Sequence, residues 1–133
     1  MLLLITISCT DSSTTTRVYR IVNSTTHAVE LHFYEIPLKG QTNFVFATGL
    51  DDSGLVIERK LKTYALESNS PIEAFEADSI ALIFNNERVE GHTFNSPAGN
   101  SMLTNYERNG DHFTYTITEE NYNNANPCDG PCN

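Results

Sequence analysis

The chain has 133 residues, with 8 Lys+Arg against 17 Asp+Glu and a formal net charge of −9 at pH 7. That length sets a single domain with room for one hydrophobic core, and 39% hydrophobic with 19% charged residues is a globular composition rather than a disordered one. The acidic balance argues against a nucleic-acid partner, and no apolar run approaches the roughly 18 residues that would span a bilayer.

The chain opens with an apolar stretch, residues 2–7, that ends in Ser8 before Cys9 and runs into Thr10-Asp11-Ser12-Ser13-Thr14-Thr15-Thr16. An apolar stretch closed by a small residue and followed by a polar tract fits a secretory segment. The Ser8-Cys9 junction resembles the lipobox of bacterial lipoproteins, and the resemblance implies cleavage after Ser8 and lipid attachment at Cys9. Residues 1–8 are then a truncated lipoprotein signal segment. Residues 9–16 are the lipidated Cys and a polar tether, whose Thr10-to-Thr16 run reaches at most ~25 Å. Residues 17–126 form the folded domain, and 127–133 a Cys-containing tail. The other reading of residues 2–7 is a first core strand.

Two-residue alternation governs the folded part. Residues 17–23 and 27–35 read as strands joined through Asn23-Ser24-Thr25-Thr26, so a hairpin is expected between them. In the second strand Val29, Leu31 and Phe33 form the apolar face, and Glu30, His32 and Tyr34 the solvated one. Residues 43–47 and 55–65 follow, separated by Gly49-Leu50-Asp51-Asp52-Ser53-Gly54. Residues 79–84 are apolar on both faces, which predicts a central strand covered on both sides. Asn85-Asn86 turns the chain into a strand at 88–94. Another is expected at 102–108, with Asn109-Gly110 as the hairpin signal before 112–118, where Phe113, Tyr115 and Ile117 face the core. Only residues 119–125 suit a helical turn, with Thr118 as N-cap. Seven or eight strands at this spacing predict an all-β, antiparallel β-sandwich or partly open barrel.

The cysteine count is odd, at three. With Cys9 acylated, Cys128 and Cys132 remain, on either side of Asp129-Gly130-Pro131. These turn residues bring the two Cα atoms within the ~7 Å that bridging needs, so a disulfide is expected in an oxidising envelope. Two thiolates alone lack the second pair of a structural zinc site, and two free thiols are the remaining reading.

Candidate chemistry is sparse. His27 and His32 point to opposite faces of one strand, while His92 and His112 stand alone at strand or turn edges. Glu30, His32 and Tyr34 share a face that suits a small polar ligand. Asp51-Asp52-Ser53-Gly54 lacks the frame of a nucleophile elbow and the spacing of a calcium loop. Glu119-Glu120 is an adjacent pair whose side chains point apart. Asp78-Ser79-Ile80 resembles a short O-glycosylation motif of Bacteroidota envelope proteins. Tyr19, Tyr34, Tyr64 and Tyr106 are the tyrosines expected on outer faces, where they can stack on a sugar or peptide.

The Ser8-Cys9 junction with its tether, the expected hairpin around Tyr19 and Phe33, and the ending Tyr115-Thr116-Ile117-Thr118-Glu119-Glu120 resemble small envelope lipoproteins of Bacteroidota. That resemblance implies an envelope address and no particular activity. The expectation is a lipid-anchored, non-enzymatic binding or structural module in the cell envelope, at the outer membrane. It has no cofactor and no metal, and its ligand is a protein or glycan. Two other readings are a small hydrolase or metal-dependent enzyme, and a subunit of an envelope complex joined by sheet-edge pairing.

Overall fold

Alternating apolar side chains with long sequence separations between partners drive two sheets together in a computed structural model, which describes residues 13–34, 44–45, 54–64, 70–93 and 101–132. The elements in chain order are β1 (Thr14–Asn23), β2 (Val29–Tyr34), β3 (Phe44–Val45), β4 (Leu55–Tyr64), α1 (Pro71–Phe75), β5 (Ser79–Phe84), β6 (Arg88–Thr93), β7 (Glu107–Asn109), β8 (His112–Ile117), α2 (Glu119–Asn124) and β9 (Asn126–Pro127). A four-stranded sheet runs β4-β1-β8-β7 and a five-stranded sheet β3-β2-β5-β6-β9. The expected β-sandwich is the observed architecture. The four-stranded sheet is mixed, because β1 runs parallel to β8.

Tyr19, Ile21 and Ile57 from one sheet meet Val29, Leu31, Phe33, Ile80, Leu82 and Phe84 from the other, with Tyr115 and Ile117 closing the layer. Each fully buried side chain of this kind contributes about 1.5–3 kcal/mol. Every residue expected to lead the core is buried except Phe113, which is half-buried and stacks on Tyr19 at 4.9 Å between centroids.

Several expectations are corrected. β1 and β2 do not form a hairpin; they belong to different sheets. Asn23 explains why: its Nδ2 donates to the His27 carbonyl at 2.9 Å and its Oδ1 accepts from the Thr25 amide at 3.0 Å. These bonds bend residues 24–28 into a corner that carries the chain from one sheet to the other. The first strand begins at Thr14 rather than residue 17, since Thr14, Thr15 and Thr16 pair with Tyr64, Thr63 and Lys62 of β4. Residues 102–104 form a turn instead of a strand, leaving only β7. One-turn helix α1 was not expected; Ser70 as extended N-cap with Pro71 behind it was the available signal. The strand expected at 43–47 is described only as β3.

Candidate binding site

The outer face of the five-stranded sheet carries the site. Glu30, His32 and Tyr34 of β2 pair with Ile83, Ala81 and Ser79 of β5, and Ile83 and Ala81 pair in turn with Val89 and Gly91 of β6. All of these lie on the face turned away from the sandwich core, so Ala81, Ile83 and Val89 make an apolar strip across β5 and β6. Ile83 is nevertheless only 2% exposed. The C-terminal tail lies against this face.

That tail is built into the sheet rather than hanging from it. β9 pairs with Arg88 and Val89 of β6. The Cys128 amide donates to the Glu87 carbonyl at 2.9 Å, and the Cys132 amide donates to Asn86 Oδ1 at 3.2 Å. Cys128 and Cys132 are disulfide-bonded with their Cα atoms 5.4 Å apart, as expected from the intervening turn residues. Gly130 turns the loop at φ +98°, a conformation open to glycine without strain. Tyr34, Ala81, Ile83 and Val89 form one side of a hollow of about 320 Å³, and Pro127, Cys128, Asp129, Pro131 and Cys132 form the other. This volume is at the small end of ligand pockets, with room for one ring or one branched side chain. Asp129 supplies its one carboxylate, exposed.

Glu30 and His32 share Tyr34's face, as expected, but that face is not freely solvated. His32 is 5% exposed on a strand flanked by β3 and β5, and Glu30 Oε1 accepts from its Nε2. The His32 ring sits 6.5 Å from that of Tyr34.

The other histidines do not converge. His92 was expected at an edge; it lies 2% exposed between the sheets. Its Nδ1 accepts from the Met102 amide at 3.3 Å, which leaves the ring proton on Nε2 to donate to Glu90 Oε2 at 2.9 Å. Asn121 Nδ2 donates to the same carboxylate oxygen at 2.9 Å and to the Tyr115 hydroxyl at 3.0 Å. Asn121 Oδ1 also accepts from the Thr118 amide at 2.9 Å, capping α2 as Thr118's position suggested. This network pins α2 to β6 and β8. Burial pushes the Tyr115 phenol up to about 12, with Glu90 adding to the shift and the Asn121 bond opposing it.

His27 stacks on Tyr122 at 3.7 Å, and its Nε2 lies 3.3 Å from Glu119 Oε2. His112 is exposed at the start of β8. Among the described residues, no group of three or more His, Cys, Asp or Glu is placed to hold a metal ion. Asp51-Asp52-Ser53 and Cys9 lie outside the described residues. Ser79 opens β5, and the Asp78 amide before it donates to the Tyr34 carbonyl at 3.0 Å. Of the tyrosines expected outside, Tyr19 is core at 1% exposure and Tyr64 is open at 52%. Tyr106 is packed beside Tyr19 and Tyr115, and burial followed by its two phenol neighbours raises its pKa.

The hollow was only partly accessible to sequence reasoning. Tyr34 and the disulfide were, but Val89 was not. In Arg88–Thr93 alternation favours Val89 as the inward residue, whereas Arg88, Glu90 and His92 point inward and Val89 outward. Comparison with protein-family models, with curated proteins and with solved structures returned no match.

Proposed function

We propose that this protein is a lipid-anchored, non-enzymatic binding module of the cell envelope, held by an acylated Cys9, and that the hollow beside the disulfide receives an apolar side chain of a protein partner. The observation that carries the reading is the composition of the hollow. Its floor is aliphatic (Ala81, Ile83, Val89), two walls are Pro127 and Pro131, and one aromatic ring, Tyr34, stands over it. Tyr34 and Asp129 are the lining residues with polar side chains, so a sugar would depend largely on backbone groups to replace its water, whereas an aliphatic or aromatic side chain can rest on the aliphatic floor. The buried His92–Glu90 pair supports a structural role for the most enzyme-like residues, because its bonds go to Asn121 and the Met102 amide inside the sandwich.

Sheet-edge assembly has less support. The open side of β4 carries Arg59, Lys60 and Lys62, a pattern that discourages strand addition. Past Val89, the edge of β6 is met by Ser101, whose Oγ donates to the Thr93 carbonyl at 2.9 Å. The test is a chemical-shift titration with leucine-, valine- and phenylalanine-containing tripeptides. Shifts concentrated on Ala81, Ile83 and Val89 methyls and lost in Tyr34→Ala support the reading. Shifts centred elsewhere, or none with any peptide, overturn it.

A further inference from the structure

The charge of this acidic chain is unevenly placed. Six of its eight cations, Arg17, Arg20, Arg59, Lys60, Lys62 and Arg108, lie on strands of the four-stranded sheet, against Glu58 and Glu107. The outer face of the five-stranded sheet holds no Lys or Arg among the described residues; Arg88, its one strand cation, points inward. By register, Arg17, Arg59 and Arg108 stand on the core-facing side with Leu61, Tyr19 and Phe113. The outer face of the four-stranded sheet therefore holds Arg20, Lys60 and Lys62 against Glu58 and Glu107, while that of the five-stranded sheet holds Glu30 and no cation among the described residues.

The basic face is also the one nearest the tether. Thr14 opens β1 and pairs with Tyr64, Thr16 pairs with Lys62, and Val18 with Lys60. These partners alternate on one outward side with Arg20, whose Nε lies 2.6 Å from Glu58 Oε2. Lys60, whose Nζ lies 4.0 Å from Glu58 Oε1, is 68% exposed, and Tyr64 is 52% exposed. Cys9 stands five residues before Thr14, so the connecting chain spans at most ~17 Å.

We infer that, when anchored at Cys9, the protein turns the outer face of its four-stranded sheet, with Arg20, Lys60, Lys62 and Tyr64, onto the anionic phospholipid headgroups of the membrane that holds it. This rests on the reading of Cys9 as the anchor. The net charge of −9 does not oppose it: the sheets are ~10 Å apart and the Debye length is ~8 Å in physiological salt, so acids on the far face are screened from the lipid surface. Each cation near an anionic leaflet strengthens association about fivefold, and a tyrosine ring suits the headgroup level. The orientation leaves the hollow beside Cys128–Cys132 facing away from the membrane, open to a partner.

The test couples the chain through the Cys9 thiol to maleimide-headgroup lipid in nanodiscs containing a gadolinium-chelating lipid. One set contains one-third phosphatidylglycerol in phosphatidylcholine and the other phosphatidylcholine alone. In the anionic discs, paramagnetic relaxation of the Thr16 and Val18 methyls should exceed that of Ala81 and Val89 by at least about fivefold, given the ~10 Å sheet separation. The contrast should shrink in neutral discs and in Lys60→Gln/Lys62→Gln, which keeps side-chain length. Equal relaxation of the two faces in anionic discs, or stronger relaxation of Ala81 and Val89, would overturn the inference. Because coupling is chemical, this result is independent of native acylation. Mass spectrometry of the protein from its host decides that separately: an unmodified Cys9 removes the anchor reading itself.

Discussion

Asn86 and Cys132, 46 positions apart, are joined by a hydrogen bond from the Cys132 amide to the Asn86 side-chain oxygen at 3.2 Å. The turn between β5 and β6 thus seats the C-terminal disulfide loop. Asn85 and Asn86 both take left-handed φ angles, 51° and 55°, which asparagine tolerates better than most residues. The same turn holds the β1–β2 corner, through the Ala28 amide on Asn85 Oδ1 at 3.0 Å.

Breaking the disulfide should leave the fold and remove the site. A five-residue loop constrains the unfolded chain by only ~2 kcal/mol, so Cys128→Ser/Cys132→Ser should stay folded and melt no more than about 8 °C below the parent protein. The wall of the hollow goes with it, so peptide-induced shifts of Ile83 and Val89 should disappear. Thiol titration of the denatured parent protein with Cys9 blocked should find no free thiol. Two reactive thiols there would contradict the pairing.

Asn121 is the best single lever on the polar network. Asn121→Leu removes at once a donor to the Glu90 carboxylate, which keeps His92, a donor to the Tyr115 hydroxyl, and the acceptor of the Thr118 amide. At 1% exposure no water replaces these bonds, and the cost should be about 2–4 kcal/mol. Urea unfolding checks it; a loss below about 0.5 kcal/mol would show the network to be dispensable.

Two phenols should resist alkali. Burial raises the pKa of Tyr115 to about 12 and that of Tyr106 above the ordinary value near 10. Both are neutral when protonated, so their stabilising contribution is complete below pH 10. It is lost as pH rises through the folded values. A spectrophotometric titration, assigned with Tyr106→Phe and Tyr115→Phe, should show these two phenols ionising well above pH 10, together with unfolding. Their ionisation near pH 10 in folded protein would contradict this.

Core truncations separate what alternation reveals from what it hides. Leu82→Ala, at a fully buried site, should cost about 2–5 kcal/mol, and Phe113→Ala less, because its ring is half-buried. Equal costs in thermal denaturation would contradict that ranking. Alternation exposed the faces of β2, β5 and β8 because a core on one side forces a period of two. It failed at β1, where Val18 and Val22 compete with Tyr19 and Ile21, and pairing with β4 and with β8, the latter about ninety residues away, sets the register. It failed again at β6, where an inward Arg88-Glu90-His92 row is stabilised by Asn121 and the carbonyls of Tyr122 and Ala125. Such partners sit far along the chain, so no local pattern reports them. Of the site, Tyr34 and the disulfide were legible as residue types, but the hollow depends on how β9 docks.

The most direct test of the account is where a ligand lands. Methyl chemical shifts of the intact chain, titrated with leucine-, valine- and phenylalanine-containing tripeptides, should move at Ala81, Ile83 and Val89, and should stop moving in Tyr34→Ala and after disulfide reduction. Peptide-induced shifts that persist after both changes, or that fall on the four-stranded sheet, would contradict it.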